Sequence, residues 1–407
     1  MRLTRTSFLG AVALGLGIAV SAVVPAMAEN GPGVTDTEIK IGHIGPYSGP
    51  ASAYGTIGKT IGAYFEKVNA EGGINGRKIN FISYDDGYSP PKTVEQARKL
   101  VESDEVLLIF QSLGTATNTA IQKYMNAKKV PQLFVATGAT KWGMPEKYHW
   151  TMGWQPNYQS EGRIYAAYIL ENHPDAKIGV LYQNDDYGKD LLEGLKEGLG
   201  DKTSMIVAEA PYETSDPTID SQIVNLKASG ADLVIDIATP KFAAQAIRKI
   251  GETGWKPVQI VNNVAQSVGG VLKPAGFENA KDVLSTGYLK DPTDPTWTDD
   301  QSYKDWSAFM DEYYPDGDRS SSFTVYGYSV AQTLEQVLRQ AGDDLSRENV
   351  MAQAANLKDF VMPMALPGIV VNTSPTDYFP IQQMQMMRFN GERWEMFGPV
   401  IEGSGGN

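Results

Sequence analysis

The 407-residue chain contains no cysteine. That excludes disulfides, thiolate metal sites and a lipid-modified cysteine after a leader. Histidine is nearly as scarce. His43, His149 and His173 are the only three, and none lies four residues from another, so the two-histidine helical pattern of a zinc site is absent. No G-x-S-x-G turn occurs, which leaves an α/β-hydrolase unsupported, and no nucleophile–base constellation replaces it. Outside residues 8–24, no apolar run approaches the ~20 residues that a spanning helix needs. Basic charge is outweighed too: 35 Lys and Arg against 48 Asp and Glu leave a net charge of −13, which does not suit nucleic acid or anionic membrane surfaces.

What is present begins with an export signal. Arg2 and Arg5 form a basic start, residues 8–24 an apolar stretch, and Ala26-Met27-Ala28 a small-x-small cleavage site, so residues 1–28 read as a cleavable leader to the periplasm. Its loss removes two arginines and takes the net charge to −15, a charge that serves solubility. The remaining length suggests two domains rather than one.

Apolar runs then alternate with amphipathic stretches. Ile39, Ile41 and Ile44 start a strand that breaks at a Gly/Pro/Ser loop; a helix, a Gly-Gly turn and a second strand from Lys78 follow. Helices are expected at 91–103, 116–127, 158–172, 187–199, 219–228 and 242–251. Strands are expected at 106–110, 132–135, 177–182, 204–208, 232–237 and 257–262. Such alternation implies parallel sheets covered on both faces, and the strand count fits two Rossmann-like lobes with a break near 150–156. Two helices, around 301–314 and 323–341, and two strands, near 385–389 and 394–399, complete the chain.

In open α/β sheets, ligands bind beyond the carboxyl ends of strands. Small polar residues gather there: Ser112, Gly114 and Thr115 after one strand, then Thr137, Gly138, Ala139 and Thr140 after the next. Their hydroxyls and the amides of the helix start suit a carboxylate, or simply cap the helix. Tyr47, Tyr54, Trp142, Trp154, Tyr187 and Tyr326 crowd similar loops and suit a cleft around an apolar ligand body. The stretch 53–60 misses the phosphate-binding pattern because Ala53 stands where its first glycine belongs, so Gly55 and Gly58 read as helix-packing positions. The carboxylate pairs at Asp85/Asp86, Asp185/Asp186 and Asp299/Asp300 are adjacent and point apart, which suits turns and caps.

Several segments together resemble one family. These are I-G-P-Y-S-G-P (44–50), A-E-G-G-I-N-G-R-K-I (70–79), Y-D-D (84–86), N-D-D-Y-G (184–188), the stretch 231–248 and L-K-P-A-G (272–276). Over about 39–397 the chain resembles the periplasmic solute-binding proteins of ABC transporters, of the branched-chain amino acid type. The resemblance implies an α/β fold of two Rossmann-like lobes joined by three hinge crossovers, the type I periplasmic binding protein fold. It implies a first lobe of 29–152 plus 289–378 and a second of 153–288 plus 379–407. It implies a monomer that does no chemistry, carries no cofactor or metal, closes on a small carboxylate and presents the closed form to an ABC permease in the inner membrane. An exported sensor module would use the same closing lobes.

By the same resemblance, Tyr54 walls the pocket from the first lobe, Gly114 and Thr115 bind the carboxylate, and residues 137–140 form the second carboxylate loop, placed to within one or two residues. Tyr187 closes from the second lobe, Thr239 adds a contact there, and Tyr326 lines the site. Tyr47, Ser112, Trp154, Asn262 and Asn263 are secondary candidates. Two departures stand out. Amino-acid-binding members carry a glutamate for the ligand's ammonium after the strand matching 257–262, where this chain reads Val261-Asn262-Asn263-Val264-Ala265-Gln266-Ser267. Glu278 lies too far along to take its place. A buried ammonium without a counter-charge costs several kcal/mol, which favours an aromatic or otherwise hydrophobic acid over the alternative, an aliphatic amino acid. The family's first-lobe disulfide is also missing, with Tyr88 and Leu113 at its positions.

Overall fold

The computed structural model describes Met1 and residues 30–403; the expected cleavage site at 26–28 and the leader residues 2–25 before it lie outside the described residues. The first unit is β1 (Glu38–Gly45), α1 (Gly55–Ala70) and β2 (Lys78–Asp85). Ile39, Ile41 and Ile44 of β1 are wholly buried, as strands of a sheet covered on both faces must be. Gly55–Thr60 opens helix α1 instead of forming a phosphate-wrapping loop.

β3 (Leu108–Phe110), β4 (Gln132–Val135) and β5 (Thr151–Gly153) complete a five-stranded parallel sheet in the order β2-β1-β3-β4-β5. Its helices include α2 (Pro90–Arg98) and α3 (Thr115–Lys128). The second sheet has seven strands, ordered β12-β11-β10-β9-β8-β6-β7. These are β6 (Ile178–Gln183), β7 (Ile206–Tyr212), β8 (Leu233–Ile237), β9 (Val258–Val261), β10 (Leu284–Gly287), β11 (Gln383–Phe389) and β12 (Trp394–Glu402). β6 to β10 run parallel, and β11 and β12 add an antiparallel edge. Helices α4 (Tyr158–Asn172), α5 (Asp186–Leu199), α6 (Asp220–Ala228) and α7 (Pro240–Glu252) flank this sheet.

The chain passes between the sheets three times. It leaves the first after β5 and returns after β10 to add helices Gln301–Tyr313, Ser322–Ala341 and Arg347–Ala354. It crosses back at β11. The Ser322–Ala341 helix packs along α1, and their apolar faces share one core with the first sheet. The result is a bilobed α/β fold of mixed sheets, the type I periplasmic binding protein architecture expected from the sequence.

Among the strands and the helices of eight residues or more, three elements escape sequence reasoning: β5, β10 and the Arg347–Ala354 helix. The two strands are short, fully buried and built partly from Thr, Ser and Gly, so neither shows an apolar run. β7 also starts two residues later and runs further than expected, to Tyr212.

Candidate ligand cleft

Strands β3 and β4 end at one side of a cavity between the lobes. Gly114, with φ +100°, turns the chain from β3 into α3, and no side chain caps that helix. Its first-turn amides therefore remain donors at the positive end of the helix dipole. Gly114, Thr115 and Ala136 line the cavity here. Thr115 Oγ1 lies 2.6 Å from Thr137 Oγ1, and Thr137 Oγ1 in turn accepts from Ala139 N at 3.3 Å and Trp142 Nε1 at 3.2 Å.

Aromatic walls come from both lobes: Tyr54, Tyr88, Phe323 and Tyr326 face Tyr158, Tyr187 and Tyr288. Burial holds the hydroxyls of Tyr54, Tyr187 and Tyr288 well above the ordinary tyrosine pKa, so they stay neutral. Asp185 caps α5, accepting Tyr187 N at 3.0 Å and Gly188 N at 3.3 Å, which explains the Asp before the tyrosine. Tyr187 Oη in turn lies 2.8 Å from the Asn262 amide. Thr239, at the start of α7, lines the cavity, and its amide donates to Tyr212 Oη at 3.0 Å.

The lobes stand closed. Tyr54 Oη donates to Val264 O at 2.9 Å, and Gly269 N to Ser320 O at 2.9 Å. Lys141 pairs with Asp186 at 2.6 Å. The cavity measures about 70 Å³, counted as the space open to the centre of a water molecule. A single water needs roughly 10–15 Å³ on that measure, so the closed cavity has room for several waters or a small solute.

At the end of β9, Asn263 lines the cavity, and its Nδ2 donates to Thr286 O at 2.8 Å, which leaves Oδ1 as its remaining acceptor. Its backbone N donates to Glu161 Oε1 at 2.6 Å. Tyr165 Oη, at 2.6 Å, and Thr286 Oγ1, at 3.5 Å, reach the same oxygen. Glu161 is 1% exposed, and burial pushes its pKa up to about 7 against the pull of these donors. Asp291 also lines the cavity; Thr293 occupies one of its oxygens, and burial raises its pKa to about 6.

The sequence matches the periplasmic binding protein family over residues 38–393. The chain belongs to that family. Among curated proteins, it is 26% identical over 339 residues to Leu/Ile/Val-binding protein homolog 1 of Brucella abortus (strain 2308), covering 82% of this chain and 85% of that one. Its fold is similar to that of a branched-chain amino acid ABC transporter protein from Thermus thermophilus with bound valine. That match has a TM-score of 0.82 at 14% identity, over 91% of this chain and 98% of the other. A fatty acid ABC transporter substrate-binding protein from Thermomonospora curvata gives a TM-score of 0.76 at 22% identity, over 93% and 96%. At such identities the structural likeness speaks for the fold. The protein is thus an extracytoplasmic solute-binding protein of the ABC-transporter type, from a family without catalytic activity.

In this binding protein the cavity brings together Tyr54, Gly114, Thr115, Tyr187, Thr239, Asn263 and Tyr326. Other candidates lie off its wall. Thr137 stands behind Thr115. Gly138 O accepts from Tyr158 N at 2.8 Å, and Ala139 is buried against Trp142 and Tyr158. Thr140 bonds Asp190 through N, at 2.8 Å, and Oγ1, at 3.0 Å. In that loop it is Ala136 that lines the space, one residue before the expected stretch. Tyr47 is held by Ser83 at 2.5 Å and Asp85 at 2.8 Å. Ser112 bonds Asn118 within the first lobe. Trp154 meets Tyr326 edge-on, centroids 4.8 Å apart. Asn262 is wholly buried behind Tyr187.

Sequence reasoning missed Tyr88, Gln155, Tyr158, Phe323 and Tyr288 as lining residues. Tyr88 and Leu113, noted only as replacing a disulfide, both line the cavity. Tyr158 was legible as the first residue of a helix at the hinge; Tyr288 follows the unrecognised strand β10.

Proposed function

We propose that this protein binds a small α-amino acid with an apolar side chain and delivers it to an ABC permease. The carboxylate sits on Thr115 and the amides at the start of α3, and the tyrosines enclose the apolar body. The observation that carries the reading is the Asn263 Oδ1 acceptor, left without a donor on the wall of a cavity whose other side, at Gly114 and Thr115, is made of donors. Thr115 and Asn263 line the same cavity, so one ligand can meet both. The names of the relatives, Leu/Ile/Val-binding and valine-bound, support the same class.

A second reading, an aromatic or hydrophobic acid without an amino group, is favoured by the seven aromatic side chains on the wall and by the amide at position 263. A thermal-shift panel on ligand-stripped protein decides between them. A ligand at 100 times its Kd adds about 2.7 kcal/mol to stability. The expected result is a rise with leucine, isoleucine or valine. A rise with benzoate-type acids and none with amino acids overturns the proposal in favour of the second reading.

A further inference from the structure

We infer that Glu161 is a positioning residue that sets the ligand class of the cleft: it fixes Asn263 from behind and supplies, one residue deeper, the negative charge for the ligand's ammonium. The inference rests on the amino-acid reading above and deepens it.

Three observations carry it. First, Glu161 Oε1 gathers Asn263 N, Tyr165 Oη and Thr286 Oγ1, while Asn263 Nδ2 bonds Thr286 O. The carboxylate thereby fixes the backbone, and Thr286 the side chain, of an amide that lines the cavity with its oxygen still unpaired. Second, no lysine, arginine or histidine bonds Glu161 among the described residues, although it is 1% exposed. A buried carboxylate without a cation is costly, and a cation arriving with the ligand would relieve that cost. Third, its field reaches the cavity: burial first, and the Glu161 charge as a smaller contribution, raise the pKa of Tyr158, Tyr187 and Tyr288, all three lining residues from different segments.

The test compares leucine with 4-methylpentanoate, which keeps the carboxylate and the branched body and lacks the amino group. Calorimetry is run on stripped wild-type protein, on Glu161→Gln and on Glu161→Gln/Asn263→Asp. Glutamine keeps the acceptor that the three donors use and removes the charge. The expected result is a wild-type preference for leucine, a loss of leucine affinity of about tenfold or more in Glu161→Gln, and 4-methylpentanoate binding within twofold of wild type. The double variant brings the charge back one residue nearer and restores the preference. An equal loss for both ligands, or none for either, makes Glu161 purely structural and overturns the inference.

If wild-type protein itself binds the two ligands equally, the amino-acid reading fails first and the inference falls with it. A pH series on wild type needs no variant to fold. The groups around Glu161 are Tyr158 and Tyr165 of α4, Tyr187 of α5, Asn263 after β9, Thr286 of β10, and Tyr288 beyond it, and the tyrosines stay neutral throughout. The leucine preference then rises with pH around 7, where Glu161 ionises. Asp291 ionises near 6 and persists in Glu161→Gln, so a rise that survives that variant belongs to Asp291 and overturns the assignment to Glu161.

Discussion

Thr115→Val tests the donor side of the cleft. Ala139 N and Trp142 Nε1 can only donate, and both point at Thr137 Oγ1, at 3.3 and 3.2 Å. Thr137 therefore gives its own proton to Thr115 Oγ1, 2.6 Å away, which leaves the Thr115 proton for the cavity. A hydrogen bond to a charged acceptor is worth about 1.5–3 kcal/mol. With about 1.4 kcal/mol per tenfold, its loss weakens a carboxylate ligand by roughly 10- to 150-fold. Valine keeps the shape of threonine but strands the Thr137 proton in a buried site, which costs about 1–3 kcal/mol of stability in the empty protein. Thr115→Ser keeps the hydroxyl and serves as the control. Calorimetry on ligand-stripped wild type and both variants reads the affinities, and urea unfolding reads the stabilities. Thr115→Val binding within twofold of wild type would refute the reasoning and place the carboxylate elsewhere.

Two further perturbations follow from the lobes and from a buried acid. Gly269 lies where an added Cβ would run into Ser320 and the Asp318 carboxylate, across the contact between the helical turn at 268–272 and the start of the Ser322–Ala341 helix. Gly269→Ala should prop the cleft, weakening ligand binding and enlarging the radius of gyration in X-ray scattering; unchanged values for both would mean that this contact does not limit closure. Asp236, at the end of β8, has no hydrogen-bond partner for either carboxylate oxygen among the described residues, and burial lifts its pKa from 3.8 to about 7. The folded form thus keeps a proton that the unfolded chain releases near 4, so stability is greatest below that pH and is lost as pH rises through 7, by up to about 4 kcal/mol. Asp236→Asn should flatten this fall between pH 5 and 8 in urea unfolding, and an unaltered slope would show that the fall comes from Glu161 and Asp291.

The two-lobed architecture was legible because each element carries its own signal. β4 and α4 are found at the expected residues, since a short buried apolar run and a long amphipathic one need only local sequence to be seen. The strand-end rule pointed to loops whose Gly114, Thr115 and Tyr187 meet in one cavity. The loop after β4 came out one residue late. A threonine-rich stretch looks like a ligand loop whether its hydroxyls face the ligand or, as for Thr137 and Thr140, hold Thr115 and Asp190.

Charge is where local reasoning stops. The absence of an acid after β9 pointed away from an amino acid, on the premise that the ammonium's partner must come from that loop. On the amino-acid reading proposed above, the fold offers other sources for that charge. It brings Glu161, on the first turn of α4, to 2.6 Å from the Asn263 amide, 102 residues along the chain, and it sets Asp291 on the cavity wall. Electrostatic attraction falls slowly with distance in a buried site, so an acid need not touch the ligand to favour a cation there. A hydrogen-bond donor such as Thr115 must touch it. A partner that must touch the ligand can therefore be sought in a motif, whereas a charge that acts from behind it depends on which helix packs there, and only the folded chain contains that information.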